Sequence, residues 1–251
     1  VKKLGNRKRS TIRKVLRRAG KYWLAWRYRN YSPDGGRAGY VKSAGLTLFL
    51  EPTVFDPRLH FTSEYFSEYL RRPGVVVLSD RVLDVGTGSG LLAISAALAG
   101  AAQVTAIDLN PSAVLAARLS TSLYGLAGKV RVVQGDMFEP VGGERFDLVI
   151  CNPPYLRGEP TSRGTLAYMA GDDFQWLRRF SQSAANHLTP GGRCLLVLSD
   201  NTDLASVLGI FRQDRWAVKY VAGRDAVVER LFIIALHMNR GQVAPFLPRN
   251  G

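Results

Sequence analysis

Apolar positions along this chain follow two regimes: one amphipathic helical pattern near the start, then a regular alternation of strand-like and helix-like segments after residue 80. From Ser10, a residue suited to an N-cap, Ile12, Val15, Leu16, Ala19, Trp23 and Trp26 share one helical face. Arg13, Lys14, Arg17, Arg18 and Lys21 fill the rest of that helix, and the turn cluster Ser32-Pro33-Asp34-Gly35-Gly36 ends it. Two short β-like stretches follow at 39–42 and 46–50, then an irregular passage from Glu51-Pro52 to Asp56-Pro57. The spacing of Tyr65, Phe66, Tyr69 and Leu70 predicts a helix over 62–71.

Beyond it, strands are predicted at 81–85, 103–107, 130–133, 146–151, 193–198, 217–221 and 231–236. Helices are predicted at 91–98, 112–123, 174–187 and 203–211. Continuous apolar runs such as Leu148-Val149-Ile150-Cys151 suit strands buried on both faces. The alternation predicts an α/β fold, a mostly parallel seven-stranded sheet with helices on both faces. The organisation expected is a basic, aromatic-containing helical arm at 1–38, a single domain at 39–240 and a tail at 241–251. Within the domain, 39–60 is a β-like lead-in and 61–240 the core. No internal repeat appears.

Charge changes this picture in one respect. The chain of 251 residues carries a formal +14, but residues 1–30 hold twelve Lys and Arg and no acid, leaving 22 basic against 20 acidic groups over 31–251. The basic character belongs to the arm, and the body is nearly neutral. No run of eighteen uncharged apolar residues argues for a membrane span. Cys151 and Cys194 read as buried thiols of a reducing, cytoplasmic setting. His60, His187 and His237 are scattered with no ligand cluster beside them, so no metal site is expected.

The chemistry collects at predicted strand ends. Asp84-Val85-Gly86-Thr87-Gly88-Ser89-Gly90 sits where the first core strand hands over to its helix, and its glycines allow a sharp turn and a close approach to a ligand. Leu91 occupies the place of the third glycine in the dinucleotide fingerprint, so that spacing is broken. Asp108 ends the second strand, where a carboxylate accepts from both hydroxyls of a ribose. Gly135-Asp136-Met137-Phe138 ends the third; Asp136 can accept from an exocyclic adenine amine while Met137 or Phe138 packs on the ring. Each has a plainer reading as a helix cap, a turn acid or a core residue. Together they fit a nucleoside held without a pyrophosphate.

Asn152-Pro153-Pro154-Tyr155 follows the fourth strand directly. Consecutive prolines remove two N–H donors and fix φ, so the carbonyls point in set directions. The Asn152 side-chain oxygen and the Pro153 carbonyl can then accept both hydrogens of one NH2 group and aim the nitrogen lone pair. Amide and aromatic amines are weak nucleophiles because that lone pair is delocalised, so positioning is where the reaction needs help. Tyr155 is expected to stack on the flat group bearing the nitrogen. No strong general base is required, since the nitrogen becomes acidic as it alkylates.

On these residues the chain resembles the class I S-adenosylmethionine-dependent methyltransferases, with their Rossmann-like fold, and within them the HemK-like group that methylates glutamine in peptide release factors. The resemblance covers roughly 46–238. It includes Asp84–Gly90, Asp108, Asp136 and Asn152–Tyr155, and extends to Val54–Arg58 with Thr62-Ser63-Glu64, to Ala170–Phe174 and to Glu229-Arg230-Leu231. It implies S-adenosylmethionine as methyl donor, S-adenosylhomocysteine as product, and a donor-binding part for Thr62 and Asn152. Phe61 and Ser63 are inserted relative to the family's Pro-Arg-x-x-Thr-Glu pattern, and the arm is shorter than the family's bacterial helical recognition domain.

Two acceptors remain open. One is a glutamine of a translation protein such as a release factor. The other is an exocyclic base amine of ribosomal or transfer RNA, or of DNA, because enzymes of that kind share the N-P-P-Y loop. The arm's Tyr22, Trp23, Trp26 and Tyr28 among basic residues suit phosphate contact and base stacking, hence ribosome association. The arm also suits packing on the body, an anionic membrane surface or organelle targeting. A small activating subunit is left open, and a non-catalytic donor-binding module stands as a third reading.

Overall fold

The computed structural model describes residues 38–58, 61–162, 165–226 and 229–238. The predicted arm, save Ala38, and the predicted tail lie outside the described residues. Among the described residues nine strands run β1 Gly39–Ser43, β2 Leu46–Leu50, β3 Arg81–Val85, β4 Gln103–Asp108, β5 Val130–Gln134, β6 Phe146–Cys151, β7 Leu188–Ser199, β8 Trp216–Asp225 and β9 Arg230–Met238. Five α-helices accompany them there: α1 Phe61–Leu70, α2 Leu91–Leu98, α3 Pro111–Ser122, α4 Gln175–Ala184 and α5 Leu204–Gln213.

Seven strands form one sheet in the order β5-β4-β3-β6-β7-β9-β8. β3 to β7 pair in parallel, while β9 lies antiparallel between β7 and β8. The apolar runs are explained by two cores, one on each face. Val149, Cys151, Leu196 and Leu198 enter the first with α4 and α5; Leu148, Ile150, Leu195 and Val197 enter the second with α1, α2 and α3. Strands buried on both faces lose the polar alternation that marks a one-sided sheet.

The chain winds outward from β3 through β4 to β5, then returns to lay β6 on the other side of β3. That reversal opens a crevice at the carboxyl ends of β3 and β6, the place where open α/β sheets bind ligands. Pairing of Asp84 with Ile150 puts the glycine loop and the Asn152 loop side by side there.

β1 and β2 form a separate hairpin whose turn residues Ala44 and Gly45 have φ of 50° and 76°. Positive φ at both positions matches the twist of a two-residue hairpin. Side chains tie it down: Ser120 Oγ accepts from Phe49 N at 2.8 Å, Tyr124 Oη from Thr47 N at 2.6 Å and Glu64 from Ala44 N at 3.1 Å.

The predicted strand at 193–198 is too short at its start. β7 begins at Leu188 and passes through Gly191 and Gly192, with a register shift opposite Phe146–Leu148. A Cβ at Gly192 would lie 2.9 Å from the Phe146 carbonyl oxygen, so here glycine permits a close strand contact and does not end the strand. The predicted helix at 174–187 is α4 followed by a 3-10 turn at Ala185–His187. Both cysteines are free and buried. Among the described residues no helix is long and apolar enough to cross a membrane, and no His/Cys/Asp/Glu group could hold a metal ion.

Candidate active site

The glycine loop leaves β3 with φ of 75° at Gly86, 56° at Gly88 and 86° at Gly90. The Gly86 and Thr87 N–H groups both donate to the Ile107 carbonyl at 2.9 Å, fastening the loop to β4. A Cβ on Gly86 or Gly88 would meet nothing within 4 Å, because both face open space. At Gly90 it would lie 3.2 Å from the Ala117 Cα, where α2 starts against α3. Gly86 and Gly88 thus belong to the ligand side, and Gly90 to helix packing.

Behind the loop, Asp84 is fully buried and its Oδ2 accepts from the Thr87 hydroxyl at 2.7 Å. Burial pushes its carboxyl up to about 7, with the nearby Asp108 charge adding and the Thr87 hydrogen bond opposing. Asp108 accepts from Gly88 N through Oδ2 at 2.8 Å and from Asn110 N through Oδ1 at 2.9 Å. Burial raises its pKa, against the three backbone N–H groups that hold the charged form. The carboxylate keeps acceptor capacity for a ligand hydroxyl.

These residues border a cavity of about 380 Å3 that runs along the strand ends and is lined by Gly86, Gly88, Asp108, Asp136, Met137 and Asn152, among others. That volume suits a small-molecule or cofactor site. Glycine faces open to the cavity, an acceptor carboxylate at the end of β4 and an apolar side chain beyond β5 fit a nucleoside-bearing donor. Asp136 Oδ2 accepts from Arg179 of α4 at 2.7 Å, so its carboxylate is part of an ion pair.

Phe138 is placed differently from its predicted role. It is buried in the core, 4.8 Å from the His187 ring in a parallel stack and 5.6 Å from Phe180, and it does not line the cavity. Met137, at φ 49°, lines it instead. The positive φ turns the chain so that two consecutive apolar residues point to different places.

The Asn152 side-chain amide donates to Ser63 Oγ at 2.9 Å and to Thr62 Oγ1 at 3.4 Å, both at the start of α1. With its NH2 held there, Oδ1 is the end of the amide left to accept. Ser63 lines the cavity and Thr62 does not, so the donor-side position predicted for Thr62 falls to its neighbour. Thr62 is buried between Asn152 and the Tyr155 hydroxyl. Pro154 lines the cavity; Pro153 and Tyr155 do not.

Tyr155 offers no stacking face. It is 8% exposed and packed in the core, and its carbonyl accepts from Thr202 Oγ1 at 2.5 Å. Burial holds its hydroxyl well above the usual phenol range, and the Glu229 charge adds to this while hydrogen bonds with Ser199 and Thr62 oppose it. The apolar core takes up the ring that the predicted role would have left at the surface. Tyr155 acts as an anchor for the loop.

Sequence reasoning found only part of the outer wall, missing Glu159, Trp176 and Arg179. Phe55 and Pro57 line one side, while Glu159, Trp176 and Arg179 come from the loop after Tyr155 and from α4. That loop folds back on itself, with bridges between Leu156 and Met169 and between Gly158 and Gly171, and Tyr168 meets Phe55 at 5.3 Å between ring centroids. The Val54–Arg58 and Ala170–Phe174 resemblances were the signals pointing to this wall, since Phe55, Pro57, Ala170 and Gly171 line it.

A parallel α/β sheet with a glycine loop at its switch point, a ribose-type acceptor at the next strand and an Asn-Pro-Pro loop beside both defines a nucleoside-dependent group-transfer enzyme. The comparisons name the group. Residues 45–219 match the methyltransferase small domain family. The release factor glutamine methyltransferase of Geobacter sulfurreducens is 32% identical over 77% of this chain and 69% of its own. The ribosomal protein uL3 glutamine methyltransferase of Bradyrhizobium diazoefficiens is 38% identical over 64% of this chain and 55% of its own. In structure, a T. thermophilus 16S rRNA methyltransferase solved with AdoMet and guanosine matches with a TM-score of 0.59 at 23% identity, covering 80% of this chain and 50% of that one, which shows the fold. The chain belongs to the methyltransferase small domain family and to its HemK-like class I members, S-adenosylmethionine-dependent N-methyltransferases.

Proposed function

We propose that this enzyme methylates the side-chain amide nitrogen of a glutamine in a translation protein of the release-factor kind, releasing S-adenosylhomocysteine. The observation that carries the reading is the hydrogen bond from Asn152 Nδ2 to Ser63 Oγ at 2.9 Å. It fixes which end of the Asn152 amide is free to accept from an acceptor NH2. Names of relatives 32% and 38% identical support glutamine as the bearer of that nitrogen.

Gly86 and Gly88 are suited to hold the donor's aminoacyl end, Asp108 its ribose, and Asp136 with Met137 its adenine. Bound S-adenosylmethionine supplies an electrophilic methyl carbon on a sulfonium. Asn152 Oδ1, on the cavity wall, accepts from the amide NH2, which turns the nitrogen lone pair towards that carbon. Amide resonance weakens this nucleophile, so orientation and stabilisation of the developing positive charge supply the acceleration. Pro154 and Tyr155 hold the loop in place, and the nitrogen's excess proton leaves to solvent.

The test supplies labelled S-adenosylmethionine and enzyme to a methylation-deficient extract. Label that survives ribonuclease and is lost to protease, recovered on glutamine, is the expected result. Label lost to ribonuclease would move the acceptor to an RNA base amine.

A further inference from the structure

A second cavity, about 210 Å3, lies between the loop after Tyr155, the start of α4 and the exposed side of α5. α4 separates it from the donor cavity: Arg178 lines the second cavity and its neighbour Arg179 the first. Arg157, two residues beyond Tyr155, lines the second cavity as well. The cavity therefore adjoins the carboxyl ends of β6 and β7, the acceptor side of the Asn152 loop.

Both guanidiniums are held in place, Arg178 by Asp173 and Arg157 by an aromatic ring with only a long ion pair beside it. Arg157 lies 4.8 Å over the Phe174 ring and makes no hydrogen bond among the described residues. Its nearest carboxylate, Asp203, is 3.8 Å away, and Asp203 already accepts from Ser206 N at 3.1 Å and Ser206 Oγ at 2.6 Å in capping α5. Arg178 is tied by Nε to the Asp173 carbonyl at 3.0 Å and pairs with the Asp173 carboxylate, Nε to Oδ2 at 3.3 Å and Nη2 to Oδ1 at 3.4 Å, so Arg157 is the one with donors to spare. Between them lie apolar atoms of Phe174 and Ile210, and Gly209 keeps the α5 wall open, since a Cβ there would meet nothing within 4 Å. A guanidinium backed by an aromatic ring, with donors to spare, is built to receive a carboxylate or phosphate.

We infer that this cavity is a docking site for an acidic side chain, aspartate or glutamate, on the protein acceptor. The inference rests on the protein-acceptor reading above and adds where that protein is gripped. A carboxylate is favoured over a phosphate chain because two acids, Asp173 and Asp203, stand beside the two arginines. The rim therefore lacks the excess positive charge that nucleic-acid binding relies on. One short acid fits a small cavity with an apolar floor.

The test reads the arginine side chains directly. The 15N-labelled enzyme is titrated with an acetylated triglutamate amide, its triglutamine counterpart and a short single-stranded oligoribonucleotide, following the Nε–H signals of Arg157 and Arg178. Saturable shifts with triglutamate, absent with triglutamine and abolished by Arg157→Gln, are expected. No shift, equal shifts with triglutamine, or displacement of the peptide by a tighter-bound oligoribonucleotide would overturn the docking site. Kinetics with a release factor as acceptor complete it. Arg157→Gln should raise the acceptor KM about tenfold, with kcat and the donor KM unchanged; a fall in kcat alone would overturn it. If the wild type methylates no release factor while the shifts persist, the proposed acceptor fails and the anion site stands.

Discussion

Asn152 depends on Ser63 to point its amide, so the two side chains should fail in different ways. Replacing Asn152 by Ala removes the acceptor proposed for the reacting nitrogen; kcat should fall by about a hundredfold or more while donor affinity, measured by calorimetry, stays within a few fold. Ser63→Ala leaves the acceptor present but unpinned. It should lower kcat by about three- to tenfold, and Ser63→Thr, which keeps the hydroxyl, should restore most of it. Equal kcat in Ser63→Ala and wild type would show that the 2.9 Å bond does not position Asn152. Asp84 gives a pH signature at the same scale. Its folded pKa near 7 stands above the 3.8 of the unfolded chain, so the folded state holds the extra proton between those values. Its contribution to stability is therefore greatest below pH 4, falls as pH rises to about 7 and is level beyond. Asp84→Asn should lessen the drop in melting temperature between pH 5 and pH 8 in the ligand-free protein. An undiminished drop would place the titration elsewhere.

Among the elements, α2 and α3 meet through Gly90, and this contact is tight enough to predict. Gly90→Ala adds a Cβ 3.2 Å from the Ala117 Cα at a φ of 86°. The cost should be about 1–3 kcal/mol of stability, read as a lower denaturation midpoint. Gly86→Ala has open space and should act mainly on donor binding. Sequence pattern made β3, β6 and α2 legible to the residue, because apolar runs bounded by turn residues are local signals. It also placed Asp108 and Asn152 at strand ends on the ligand side, since parallel alternation fixes which ends face the ligand. What it could not fix were choices made by tertiary packing. Thr62 and Ser63 are adjacent hydroxyls, and only the rotation of α1 decides which one lines the cavity. Phe138 and Tyr155 are aromatic residues beside a site, and local sequence does not say that the core claims both rings. Arg179 lies 43 residues from Asp136, too distant for a spacing argument to pair them.

For the whole molecule, the charge division between arm and body turns the acceptor question into a salt experiment. The body carries close to equal numbers of acids and bases, whereas residues 1–30 carry twelve bases alone. If the arm's charges held single-stranded RNA as acceptor, six phosphate contacts would give a log–log salt slope near −4. Between 50 and 200 mM salt, acceptor affinity would then fall about 250-fold. A protein acceptor held by the neutral body and an isolated acidic side chain loses only the screened part of a few ion pairs, so the acceptor KM should change by less than about tenfold. The donor KM is an internal control, because its site sits in the crevice of the sheet and should scarcely respond. A steep slope in the acceptor KM, removed by deleting the arm, would assign recognition to the arm and return RNA as the substrate. A shallow slope that survives the deletion would leave recognition with the body, where the Asn152 loop and the two arginines lie at the carboxyl-end side of the sheet.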